Sequence, residues 1–193
     1  MKNGSRLAGA VVALTILGAT GMALAQDDSQ LTAEQLAAKF RAQQGQLTRG
    51  LVIAPSGAAT DPNAVVDANA LPADTTYVSV DPNAQVNIQI KFGFDSAALT
   101  DSELPKLTTL CEVVKASDIP TFRIIGHTDA SGTDAYNLNL SKLRAEEVKR
   151  RLVEDCGIPD GKLIATGVGE AYPLTGTDPK ADANRRVEFQ VGS

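Results

Sequence analysis

The feature that most constrains this chain is where its large apolar residues fall. From Gln85 onward they recur in short periodic runs, whereas residues 26–83 are dominated by Ala, Asp, Pro and Gln. A stretch with so few large side chains buries too little surface to offset the entropy of ordering it. The packed core is therefore expected in residues 84–193, and residues 26–83 read as a short helix followed by an Ala/Pro/Asp-rich linker. Hydrophobic residues make up 43% of the 193, slightly under the ~45–50% of globular chains, which fits a core confined to part of the chain.

Periodicity gives the elements. Val86 to Phe92 alternates apolar and polar, as a half-buried strand does. Leu99 to Ala116 places Leu104, Leu107, Leu110, Val113 and Val114 at helical spacing, with Thr100 or Asp101 as cap and Pro105 early, where it costs least. Thr121 to Gly126 is β-branched and follows Pro120. Asp134 to Asp155 predicts a long amphipathic helix ended by Gly157 and Pro159. Leu163–Gly167 and Arg186–Val191 read as two more strands. The order β-α-β-α-β-β implies an α+β two-layer sandwich with both helices on one face of the sheet. In the preceding region, Leu31 to Gln44 reads as a helix capped by Thr32, with Leu36, Phe40 and Leu47 as a weak apolar stripe. Leu51 to Ala54 could add a strand.

The first 25 residues read as an address. Lys2 and Arg6 precede an uncharged run that ends in Ala23-Leu24-Ala25, the small-x-small pattern of a secretory signal peptide. An uncleaved membrane anchor is the competing reading, since the run is just long enough to span; five Gly and Thr residues within it favour cleavage. No Cys follows the run, so a lipid-anchored form is not expected. In an oxidising compartment Cys111 and Cys156 could pair, or stand as two buried thiols; the sequence leaves both open.

Charge and composition exclude several functions. Eighteen basic against 23 acidic residues leave a net charge of −5, unlike the basic face of a nucleic-acid binder. One His and two Cys are too few for a His- or Cys-based metal centre, so no metal or cofactor is expected. His127 beside Asp129 lacks a nucleophile elbow and reads as structural. Gly167-Val168-Gly169 lacks the Lys and helix of a phosphate loop. Lys149-Arg150-Arg151 reads as a solvated helix face balanced by Glu146, Glu147 and Glu154.

Five motifs then point one way: Phe92-Gly93-Phe94-Asp95-Ser96, Gly126-His127-Thr128-Asp129-Ala130-Ser131-Gly132, Asn137 before Leu140-Ser141-Lys142-Leu143-Arg144-Ala145, Gly167-Val168-Gly169-Glu170 before Pro173, and Asn184-Arg185-Arg186-Val187-Glu188. Together they resemble the OmpA-like peptidoglycan-binding domain, shared with peptidoglycan-associated lipoproteins and the stator protein MotB. The resemblance implies non-catalytic binding of peptidoglycan through the diaminopimelate of the stem peptide, in the periplasm or at the outer membrane. It implies that Asp129 takes the ligand ammonium and Arg144 its carboxylate, with Thr128 and Asn137 bonding the ligand or fixing the loop. Strand alternation places Arg185 at the border of this site. A helix turn of about 100° per residue puts Asn137, Ser141 and Arg144 on one arc, with Leu138, Ala145, Val148 and Leu152 on the neighbouring core-facing arc. The competing reading of Asp129 and Arg144 is an internal salt bridge.

The expected architecture departs from the family's larger members. Residues 26–83 lack the repeated alternating segments of an eight-stranded barrel. The apolar run has no acidic residue, which disfavours an ion channel. Residues 26–83 could instead dock an outer-membrane or secretion partner, with wall binding secondary, and a wall hydrolase is a further competitor without an identifiable carboxylate pair.

Overall fold

The computed structural model describes residues 27–48, 77–92 and 96–192. The expected signal segment, the expected strand at 51–54 and motif residues Gly93, Phe94 and Asp95 lie outside the described residues.

Thr32 opens the first helix with a reciprocal cap: its Oγ1 accepts from Gln35 N at 3.3 Å, and Gln35 Oε1 accepts from Thr32 N at 3.0 Å. Helix α1 spans Ala33–Thr48, and it corrects the expectation that everything before residue 84 stands outside the core. Leu36 and Phe40 belong to the core, and the Phe40 ring meets Phe122 edge-on at 5.0 Å. Buried Asp28 accepts from Asn87 N at 2.8 Å and pairs with Lys39 at 3.2 Å. Leu47, the third residue of the expected stripe, is exposed. Two aromatic or aliphatic anchors were visible in the sequence; the polar ties to distant backbone were not.

The first strand, β1 (Val86–Ile88), is shorter than the alternation up to Phe92 suggests. Beyond Ile88 side chains satisfy the backbone in place of a neighbouring strand. Gln89 N donates to Asp27 at 3.3 Å, Gln89 O accepts from Lys106 Nζ at 2.7 Å, and Lys91 N donates to Glu103 at 2.9 Å. Helix α2 (Pro105–Ala116) begins with Pro105 in its first turn, where the missing N–H has no partner to lose. A 3₁₀ turn over Asp101–Glu103 precedes it, and the expected Thr100 side-chain cap does not form.

Strand β2 (Phe122–Gly126), helix α3 (Asp134–Glu154), strand β3 (Leu163–Gly167) and strand β4 (Val187–Val191) complete the fold. The sheet order is β1-β4-β2-β3, with β2 and β3 parallel and β4 antiparallel to both β1 and β2. This is the expected α+β arrangement with a third helix added. Val86, Ile88, Phe122, Ile124, Val187 and Phe189 form the inner face of the sheet against Leu107, Leu110, Ala145, Val148 and Leu152. Each Val, Leu, Ile or Phe side chain among them contributes about 1.5–3 kcal/mol on burial. Where β1 ends, the Gln43 amide stands in for a strand partner: it accepts from Val191 N at 2.8 Å and donates to Phe189 O at 3.2 Å and Ala84 O at 2.8 Å.

The outer face of the sheet is polar yet covered. Glu188 and Gln190 point there, opposite Val187 and Phe189. Tyr77 donates to Glu188 at 3.2 Å and Gln190 Nε2 to Val78 O at 2.8 Å. The chain therefore leaves the described region on the helical layer at Thr48 and returns on the opposite face at Tyr77.

Helix α3 is capped by Thr133, whose side chain accepts from Tyr136 N at 3.3 Å, and Gly157 ends it at φ +67°. It lies so close to the sheet that a Cβ on Gly126 would fall 2.0 Å from Ser141 O, and one on Gly167 2.3 Å from Lys142 N. Ala145, Val148 and Leu152 are buried as the helical arc predicts, but Leu138 is exposed. At that first turn the helix backs onto the main chain at Gly169 rather than onto a strand. A disulfide joins Cys111 of α2 to Cys156, just past α3, across Cα atoms 5.8 Å apart.

Candidate functional site

The loop after β2 is fixed from three sides. Thr128 N donates to Gly169 O at 2.9 Å, Ala130 N to Pro179 O at 2.9 Å, and Asn137 Nδ2 to Asp129 O at 3.3 Å. Asn137 also donates to Glu170, so the start of α3 holds this loop and the one after β3 together. Gly132 turns the chain into α3 at φ +108°, in the left-handed region. Within the loop, Asp129 Oδ1 accepts from Ser131 N at 2.9 Å.

Beneath the loop, His127 is buried and its Nε2 stands 3.1 Å from Glu188. Burial pushes the imidazole below its ordinary value, against the pull of Glu188. Burial alone would raise Glu188, but His127, Gln190 and Arg186 hold its carboxyl low. His127 thus has a packing and hydrogen-bonding role in the outer-face network.

The structure separates the expected acid from the expected base. Asp129 pairs with Arg185 at 2.6 Å, and Arg185 also reaches Asp182 at 2.8 Å. Burial opposes the Asp129 charge, but Arg185 and Ser131 outweigh it and hold the carboxyl below the usual range. Arg144 takes no part in that pair. Its Nε donates to Ser96 O at 3.4 Å and its guanidinium lies 4.8 Å from the Phe92 ring centroid. Its two terminal nitrogens have no hydrogen bond among the described residues, and burial lowers its proton affinity. Arg144 lines a pocket of about 310 Å³ together with the segment after β1, Asp182 and Arg185. Arg185 therefore borders both halves: it lines this pocket and bonds Asp129.

The remaining expected residues divide. Asn137 acts on the loops rather than on the pocket, and Ser141 Oγ accepts from Gly169 N at 2.9 Å. Thr128 Oγ1 is buried without a partner among the described residues. Glu170, which fastens Asn137, stands inside a motif of the sequence, but nothing in its spacing signals that role. Among the described residues no cluster of His, Cys, Asp and Glu could hold a metal ion.

Arg144 and Arg185 line the pocket, and Asp129 joins it through its pair with Arg185, an arrangement suited to recognising a compact charged group. Comparison with known proteins gives the family of this region: residues 91–186 form an OmpA family domain. It is 35% identical over 134 residues to outer membrane porin F of Pseudomonas aeruginosa, a match covering 68% of this chain and 37% of that protein. It is 50% identical over 79 residues to outer membrane protein A of Shimwellia blattae, covering 35% of this chain and 32% of that protein. The chain thus spans about a third of the length of these relatives. Among solved structures it is similar to the OmpA-like domain of FopA1 from Francisella tularensis (28% identity, TM-score 0.49, 54% of this chain and 70% of that one). The peptidoglycan-associated lipoprotein of Burkholderia pseudomallei is another (32% identity, TM-score 0.46, 52% and 86%). The domain is a binding module rather than an enzyme. No helix among the described residues is long and apolar enough to cross a membrane.

Proposed function

We propose that this protein binds peptidoglycan non-covalently in the periplasm or at the outer membrane, through the diaminopimelate of the wall's stem peptide. The free end of diaminopimelate is an amino-acid centre, one ammonium beside one carboxylate. The observation that carries the reading is the separation of Asp129 from Arg144. Arg144 lines the pocket and its terminal nitrogens make no hydrogen bond among the described residues, as a bidentate carboxylate site requires. Asp129 is kept ionised by Arg185, ready for an ammonium that shares or replaces that contact. Thr128 and Asn137 support the Asp129 loop in this reading. A partner-docking role for residues 26–83 loses support from α1, whose Leu36 and Phe40 are already spent on the core.

Calorimetric titration with a diaminopimelate-containing stem peptide, and with the analogue carrying lysine, tests the proposal. Lysine has the side-chain ammonium but lacks the neighbouring carboxylate, so it should bind at least tenfold more weakly. A charge-assisted bond to the ligand is worth about 1.5–3 kcal/mol, so D129A and R144A should each weaken binding tenfold or more. Equal binding of both peptides by the parent protein refutes the proposal.

A further inference from the structure

We infer that the pocket beside Arg144 has a second anion subsite, formed by Lys91, which takes the carboxylate of the residue next to diaminopimelate in the stem peptide. The inference rests on the wall-binding reading and deepens it. Three cations line the pocket: Lys91, Arg144 and Arg185. Arg185 is already neutralised by Asp129 and Asp182, at 2.6 and 2.8 Å. That leaves two cations for the ligand. Arg144, 9% exposed, is the buried one, with its terminal nitrogens free to receive a planar carboxylate. Lys91 is the other: its side chain is exposed at the rim and makes no ion pair or hydrogen bond among the described residues.

The backbone fixes where Lys91 can act. Its N–H is bound to Glu103 and the preceding Gln89 carbonyl to Lys106, so the segment is anchored although it is no longer a strand. Glu103 is in turn paired with Lys106 at 2.7 Å, so Lys106 takes its ion pair and the Lys91 ammonium acts on that carboxylate only at longer range. A volume of about 310 Å³ lies at the lower end of small-molecule sites, room for more than one amino-acid headgroup. Two cations that line one such pocket and make no ion pair among the described residues match a ligand with two carboxylates. The stem peptide has them on adjacent residues, because its acidic residue is joined through the γ-carboxyl and keeps the α-carboxylate free.

The test compares two tripeptides that differ only at that α-carboxylate, one free and one amidated, titrated against the parent and K91Q. A rim ion pair is worth at most about five-fold in affinity. The parent should prefer the free acid by about that factor, and K91Q should bring the ratio near one. K91Q should melt with the parent, since the side chain holds nothing in place. An unchanged ratio in K91Q, or no preference in the parent, overturns the subsite while leaving diaminopimelate binding intact. Failure of the parent to bind either tripeptide overturns the wall-binding reading, and the subsite falls with it.

Discussion

Two glycine-to-alanine changes should move stability in opposite directions, and the contrast tests the packing on which the site depends. At Gly126 a new methyl would sit 2.0 Å from the Ser141 carbonyl oxygen, where ordinary contact begins at 3.4 Å. Helix α3 would have to retreat by more than an ångström, and neither strand β2 nor the helix backbone can yield as a side chain would. Overpacking of this kind costs roughly 1–3 kcal/mol, and more where backbone meets backbone, so G126A should lose about 3 kcal/mol. The same retreat would stretch the bond from Gly169 N to Ser141 Oγ, now 2.9 Å, and loosen the loop that supports Asp129. At Gly45, inside α1, an added Cβ meets nothing within 4 Å among the described residues. There the only effects are lower unfolded-state entropy and better helix propensity, so G45A should gain about 0.5–1 kcal/mol. Urea unfolding followed by circular dichroism measures both. A G126A midpoint within about 0.5 kcal/mol of the parent, or a G45A loss, would refute the close-approach argument.

Three further outcomes can be checked. The Asp129 carboxyl is held below its ordinary range by Arg185 and Ser131, so its stabilising contribution is complete above the unfolded value of about 3.9 and fades as pH falls through the lower native one. R185Q removes the partner and should move acid unfolding to higher pH; identical acid midpoints argue against the pair. Replacing both Cys111 and Cys156 by Ser opens a 45-residue loop, for which the chain-entropy model gives about 4 kcal/mol, and a reductant should lower the parent's urea midpoint comparably. Q43A should orphan Val191 N, at a cost of about 1–3 kcal/mol; a loss below 1 kcal/mol would mean that water replaces the amide.

Much of this was legible in the sequence because it rests on local periodicity. The alternation of Val187 and Phe189 with Glu188, and the helical spacing of Ala145, Val148 and Leu152, fix which face of each element is apolar. The sequence was less informative wherever side chains replace a regular backbone partner. Strand β1 stops early because Asp27, Glu103 and Lys106 take over its hydrogen bonds, and none of these residues is near it in sequence except by folding. Helix α1 was underrated because two apolar residues look insufficient, while Gln43 and Asp28 act through single bonds to distant backbone. At the site, motif residues located Asp129, Asn137 and Arg144, but not that Arg185, rather than Arg144, is the partner of Asp129. That pairing depends on where the chain enters β4, a tertiary fact.

The route of the chain across the sheet has a mechanical consequence. Residues 27–48 are fastened within the helical layer, and Tyr77 is fastened on the far face through Glu188 and a 4.0 Å stack on Tyr172. Both flanks of residues 49–76 are therefore fastened to one body, on opposite faces of its sheet. A cut between those flanks would leave the first helix clamped in place by Phe40, Gln43 and Asp28, so the protein could be made as two fragments that find each other. Tension between the two flanks would load the polar contacts of Tyr77 on the outer face and the core contacts of Phe40 in the helical layer together.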